Sequence, residues 1–290
     1  MSFILSNDKP FAYNPGISNR TVINLDIDGV DQEYYDKLSL LDKDKWYYTD
    51  VDIDYIHNEY GYRGDLISEI DTGDEYIVTF GCSYSYGYGL HYEDTYSYKV
   101  SKHYNCKNIN LSVCGSGIGF HVNNTTLFLN YLLNNSKKLP KLVIYQYPSW
   151  TRMGLSTLLL EDNKRLLNQS IVNWDFGSFD KEIIPFYKKY WILDETEAYR
   201  ESLISPIYLN NIWAGFNVPT FHMDFGDFNQ KYKSDYQKFH IYDFSNIDKS
   251  NTYKEEENYL YSLARDLSHN GRNFNNKVAN EIIELTEWLK

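Results

Sequence analysis

The sequence predicts an α/β protein, a three-layer α/β/α fold on a central parallel sheet. Two observations carry this. After Glu75, short apolar runs alternate with segments whose apolar residues recur at helical spacing, the pattern of strands joined by crossover helices. The runs YIVTF (76–80) and LVIYQY (142–147) are apolar almost throughout, as in strands buried on both faces. With 290 residues, 42% of them hydrophobic, the chain can build a sizeable core.

The elements follow in order. Residues 1–74 are polar and irregular, with Pro10, Pro15, Gly16 and many Asp. They are expected to form an N-terminal extension packed on a main domain spanning 75–290. Tyr76–Phe80 is the first core strand. Tyr92–Tyr104 places Tyr96, Val100 and Tyr104 at helical spacing, and Asn108–Val113 is the second strand. Ile118–Leu133 sets Ile118, Val122, Leu129, Leu132 and Leu133 on one helical face. Leu142–Tyr147 follows Pro140 as the third strand, and Val218–Met223 is the fourth. Val278, Ile282, Leu285 and Leu289 mark a closing helix. Residues 151–217 break this rhythm and hold Trp174, Phe176, Phe179, Phe186, Tyr187, Tyr190, Trp191 and Trp213. The segment is too long for an ordinary connection. It is expected to be an inserted, mainly helical piece, serving as a lid, a dimer surface or padding.

Composition excludes several roles. A net charge of −12 argues against a nucleic-acid partner, which needs a basic surface, and against anionic membranes. The 29 tyrosines fit stacking on sugars or gripping a partner, or else a plain compositional bias. Cys82, Cys106 and Cys114 form no CxxC pair, which fits free thiols in a reducing compartment. The opening MSFILSNDKPFAYN lacks the basic start and apolar stretch of a signal peptide, and no run approaches the ~20 apolar residues of a membrane span. A cytoplasmic location is expected. His222, Asp224 and Asp227 could ligate a metal, but their spacing matches no strong motif, so no metal or organic cofactor is expected.

The chemistry is expected at TFGCSYSYGYGL (79–90). In parallel sheets, ligands sit at the carboxyl ends of the strands, and this turn lies at such an end. Gly81-Cys82-Ser83 lets a serine occupy a tight turn. Ser83 is the candidate nucleophile, with Ser85 the second hydroxyl and Cys82 a remote alternative. A serine hydroxyl is weak alone and needs a base, with a carboxylate to orient that base. The stretch ARDLSHNG (264–271) supplies both in Asp266 and His269, three apart on a loop before the final helix.

These stretches resemble the SGNH (GDSL-type) hydrolase superfamily over about 75–290. The serine block is similar to GCSYSYGYGL, with Cys82 where the better-known pattern has Asp. The glycine block is similar to NLSVCGSG (110–117), and the terminal block to DLSH (266–269). NEYGYRG (58–64) is similar to a segment found upstream of the nucleophile in some members. The resemblance implies a flavodoxin-like sheet, a Ser83–His269–Asp266 triad, and an oxyanion hole from the Ser83 and Gly115 N–H groups. The family's third block carries an Asn that completes the hole. Here that block falls on QYPSWTR (146–152), the Asn position falls near Trp150, and no Asn is present. Losing one such donor costs ~3 kcal/mol. Ser149, Arg152 or the Trp150 backbone are candidate substitutes. Arg63, Trp150 and Arg152 are candidate substrate-binding residues. Each arginine could meet a substrate carbonyl or carboxylate, or pair with one of the chain's 40 acids.

The expected function is hydrolysis of a small acyl ester, such as acetyl on a carbohydrate. The alternatives are an O-acyltransferase with the same triad and a binding protein on a degenerate hydrolase scaffold.

Overall fold

A computed structural model of the chain describes residues 52–70, 73–160, 164–171, 196–225, 241–244, 263–266 and 269–289, with short pieces and single positions before 49 and at 185 and 188–189. β1 (Phe3–Leu5), β2 (Val22–Asn24) and β3 (Asp54–Ile56) precede the core. Then come β4 (Tyr76–Phe80), α1 (Ser83–Tyr86), α2 (Tyr96–His103), β5 (Lys107–Asn110), α3 (Ile118–Asn134), β6 (Leu142–Tyr147), β7 (Met153–Leu160), β8 (Lys164–Ile171), α4 (Thr196–Ala214), β9 (Thr220–Asp224), β10 (Tyr242–Asp243) and α5 (Arg272–Leu285).

The core is a five-stranded parallel sheet in the order β10–β9–β6–β4–β5, flanked by helices, so the fold is three-layer α/β/α. Side chains leave a strand on alternate faces, and the sequence fills both. Ile77, Leu142 and Ile144 pack with Tyr96 and Val100 of α2 and Val278, Ala279 and Ile282 of α5. Val78, Phe80, Val143 and Tyr145 pack on the other face with Phe128 and Leu132 of α3 and Leu209 and Trp213 of α4. The chain runs from β4 outward to β5, then returns to the far side of β4 to form β6. That reversal is the point where open parallel sheets place their ligands. Beyond β5 the ladder continues: Leu111 N–H donates to Thr79 O at 2.8 Å and Val113 N–H to Gly81 O at 2.9 Å. The glycine-bearing turn that follows is thereby set against the end of β4.

Among its described residues, the segment 151–217 holds strands as well as the helix expected. It opens with an antiparallel hairpin, β7 with β8, to which β1 adds as a third strand. EDNK (161–164) is a polar break between two apolar runs, which is a hairpin signal. It closes with α4, which lies in a flanking layer of the core, where Trp213 Nε1 donates to Tyr145 Oη at 2.7 Å. The aromatic residues from 174 to 191 lie outside the described residues.

Of the first 74 residues, Trp46, Tyr48, Ile53 and Tyr55 form a cluster with Tyr86, Leu90, Leu263 and Ala264. Tyr62 Oη bridges Ala12 O (2.9 Å) and Asn124 Nδ2 (3.0 Å). No helix among the described residues is long and apolar enough to cross a membrane.

Candidate active site

The turn that carries Ser83 begins where β4 stops. A Cβ on Gly81 would run into the Ser85 side chain, so only glycine fits. Cys82 is extended (φ −98°, ψ −153°) and its N–H and Sγ both reach Gln146 Oε1 at 3.1 Å. It therefore faces inward. Ser83 is the first residue of α1, whose end turns through Gly87. Ser85 is fully buried, with Oγ 2.5 Å from Tyr96 Oη and 3.1 Å from Gln146 Oε1. Its hydroxyl holds the turn and is not a free nucleophile.

The histidine loop is built separately and then tied on. Leu263 and Asn270 form an antiparallel bridge, and Ala264 N–H donates to His269 O at 2.8 Å. This folds the loop back and brings Asp266 next to His269. Asp266 Oδ2 lies 2.5 Å from His269 Nδ1, and Asp266 Oδ1 accepts the His269 backbone N–H at 3.2 Å. Arg265 N–H donates to Gly89 O at 3.0 Å, which joins this loop to the serine turn. His269 Nε2 then stands 2.7 Å from Ser83 Oγ. The imidazole is flanked by Tyr84 and Tyr88, with ring centroids at 5.0 and 5.3 Å. Burial, with the charge of Asp266, raises the Tyr88 pKa and keeps its phenol neutral.

Gly115 sits on the solvent-facing turn after the β5 extension, at φ +77°, a conformation that favours glycine. Among the described residues, neither its N–H nor that of Ser83 has a hydrogen-bond partner. Next to it, Ser116 Oγ donates to Gly81 O at 3.0 Å and lies 3.3 Å from His121 Nε2. Burial, opposed by a contact to the Gly81 backbone and aided by the Arg152 charge, takes the His121 pKa down to about 3, so its ring is neutral. Desolvation pushes the Cys114 thiol up to about 12, which leaves it no thiolate.

The structure brings Ser83, His269 and Asp266 together, with Gly115 on the adjoining turn. Trp150 and Arg152 lie on the turn after β6, where Arg152 N–H donates to Ser149 O at 3.1 Å. Arg63 is elsewhere. It is 1% exposed beneath the serine turn, donating from Nη1 to Gly87 O at 2.6 Å and from Nη2 to Leu90 O at 2.7 Å. Expected to bind substrate, it is instead a support for the turn, because the carbonyls left open by the Gly87 reversal need donors. Gln146, which binds Cys82 and Ser85 across from β6, escaped the sequence reading. Its only signal was a polar residue inside an apolar strand. Tyr84 and Tyr88 were visible as tyrosines but not as neighbours of His269.

No group of three His, Cys, Asp or Glu among the described residues is placed to hold a metal ion. His222 Nδ1 is 2.6 Å from Tyr147 Oη, and Asp227 lies outside the described residues.

No protein-family model matches the chain, and no curated protein matches it in sequence. Among solved structures, it is similar to an acetyl xylan esterase (Est2A) from the rumen bacterium Butyrivibrio proteoclasticus. The identity is 13% and the TM-score 0.36, over 73% of this chain and 62% of that one. A likeness this distant bears on neither activity nor substrate.

Proposed function

We propose that the chain is a serine esterase of the SGNH type, acting on a small acyl ester. The supporting observation is the unbroken path from Asp266 through His269 to Ser83, at 2.5 and 2.7 Å. With Nδ1–H directed at the carboxylate, His269 Nε2 is the base that takes the Ser83 proton. Ser83 Oγ attacks the ester carbon, and the carbonyl electron pair moves onto oxygen. The open N–H groups of Ser83 and Gly115 are the donors for that oxyanion. His269 returns the proton to the leaving alcohol as the ester C–O bond breaks. Water then repeats the sequence on the acyl-enzyme, giving up a proton to His269, and the acid leaves as Ser83 regains its proton. Tyr84 and Tyr88 line the approach and suit a small acyl group on a flat, hydroxylated carrier such as a sugar.

The test is hydrolysis of p-nitrophenyl acetate by the wild type and Ser83→Ala. The variant is expected to lose roughly a thousandfold or more in kcat. Equal rates, or a wild type that a fluorophosphonate probe leaves unlabelled, would remove the esterase reading. Product analysis with an added acceptor alcohol separates hydrolysis from acyl transfer by the same triad.

A further inference from the structure

Arg152 carries a charge that the protein leaves unanswered. Its Nε and Nη1 are shielded from solvent and have no hydrogen-bond partner. No described carboxylate pairs with it, although the chain has 40 acidic residues against 28 basic ones. A shielded, unpaired cation is costly, and native proteins rarely keep one without use.

Its position gives the use. The Arg152 charge bears on both Cys114 and His121. Cys114 immediately precedes Gly115. His121 touches Ser116 Oγ, which is bonded to Gly81 O. Arg152 follows β6, which pairs in parallel with β4, so it stands at the same carboxyl rim of the sheet as the serine turn. Tyr84 and Tyr88 stand beside His269, on the serine turn. His121 cannot neutralise the guanidinium, because an imidazole is either neutral or positively charged.

We propose that Arg152 is a substrate-recognition residue, and that the ester taken by this site carries a carboxylate close to its scissile carbonyl. The inference rests on the esterase reading. A full charge held ready in the resting protein matches a charge that the substrate brings with it. The transient oxyanion has the Ser83 and Gly115 donors already. A monoanion fits better than a phosphate dianion, because the chain's net charge is −12. Nη2, the guanidinium nitrogen that is not shielded, is the donor open to a carboxylate oxygen, and a charge-assisted bond is about twice as strong as a neutral one.

The experiment compares 4-acetoxybenzoate with its methyl ester, two acetyl esters that differ by one methyl group and the charge it removes. The wild type is expected to prefer the charged ester at least tenfold in kcat/KM. Arg152→Gln should erase that preference, mainly through KM on the charged ester, and Arg152→Lys should keep part of it. Equal slowing of both esters by Arg152→Gln, or a preference left intact, overturns the inference while leaving the esterase reading in place. Should Ser83→Ala cleave both esters as fast as the wild type, the esterase reading falls instead. Calorimetric binding of benzoate then decides on Arg152: binding lost in Arg152→Gln supports it, and no binding by the wild type overturns it. Thermal unfolding separates recognition from support. Removing an unpaired charge should leave Arg152→Gln at least as stable as the wild type, and a fall of several degrees would mark a structural residue.

Discussion

Arg63 and Arg152 look alike in the sequence, and their surroundings make them opposites. Arg63 directs its guanidinium to backbone carbonyls and lies 4.5 Å from the centre of the Tyr55 ring. Burial lowers its pKa, yet the carbonyls and rings around it favour the charged form. Replacing it with Gln should strand those carbonyls and cost about 3 kcal/mol. Urea unfolding would read that loss, and esterase activity should fall with it, because the serine turn rests on this side chain. A variant of undiminished stability would contradict the assignment. The meeting of Ser83, Asp266 and His269 was legible because the nucleophilic chemistry proposed for them calls for those residue types on turns. Gln146 was not. Its part in holding Cys82 depends on the pairing of β6 with β4, Tyr145 beside Phe80, which no local pattern records.

Elements buried on a full face were legible, and those defined by partners were not. The parallel strands and helices α2, α3 and α5 fall close to the segments that periodicity marks. α5 stops at Leu285 rather than Leu289, because Thr286 Oγ1 turns back to Ile282 O at 2.6 Å and meets Tyr104 Oη at 2.8 Å. That hydroxyl competes with the helix in a way apolar spacing does not reveal. The β7–β8 hairpin was missed because its runs have lengths that fit helix or strand equally. α4 was missed as a core helix because its buried face is carried by few large apolar residues, chiefly Leu209 and Trp213. Trp213 is fully buried and bonded to Tyr145 Oη, which is itself 2.8 Å from Thr125 Oγ1 of α3. Trp213→Ala should therefore cost about 3–5 kcal/mol. Trp213→Phe should recover most of that, less the lost hydrogen bond. Parallel denaturation curves for the two variants would check the order.

At the scale of the molecule, two neutral histidines make stability depend on acid. Burial holds both His121 and His222 at about 3, against about 6.5 in the unfolded chain. Below about 6.5 the unfolded state takes up protons that the folded state refuses, so stability falls as the pH drops towards 3. Each histidine contributes up to about 1.4 kcal/mol per pH unit. Glu201 works in the other sense. Burial lifts its carboxyl to about 7, so its share declines as the pH rises from about 4.5 to 7. Denaturation at pH 7.5, 6 and 5 should show a net decline, which turns into a rise when both histidines become Gln and Glu201 alone remains. An unchanged slope in the double variant would place the acid sensitivity elsewhere. The same long-range construction governs the reactive centre. Ser83 and His269 stand 186 positions apart, and the loop holding His269 is secured through Arg265 to Gly89 and through Leu263 to Trp46. A growing polypeptide on the ribosome thus completes its sheet before the candidate site is assembled. On the esterase reading, only the segment with Asp266 and His269 completes the triad, so a half-made copy would lack the proposed chemistry.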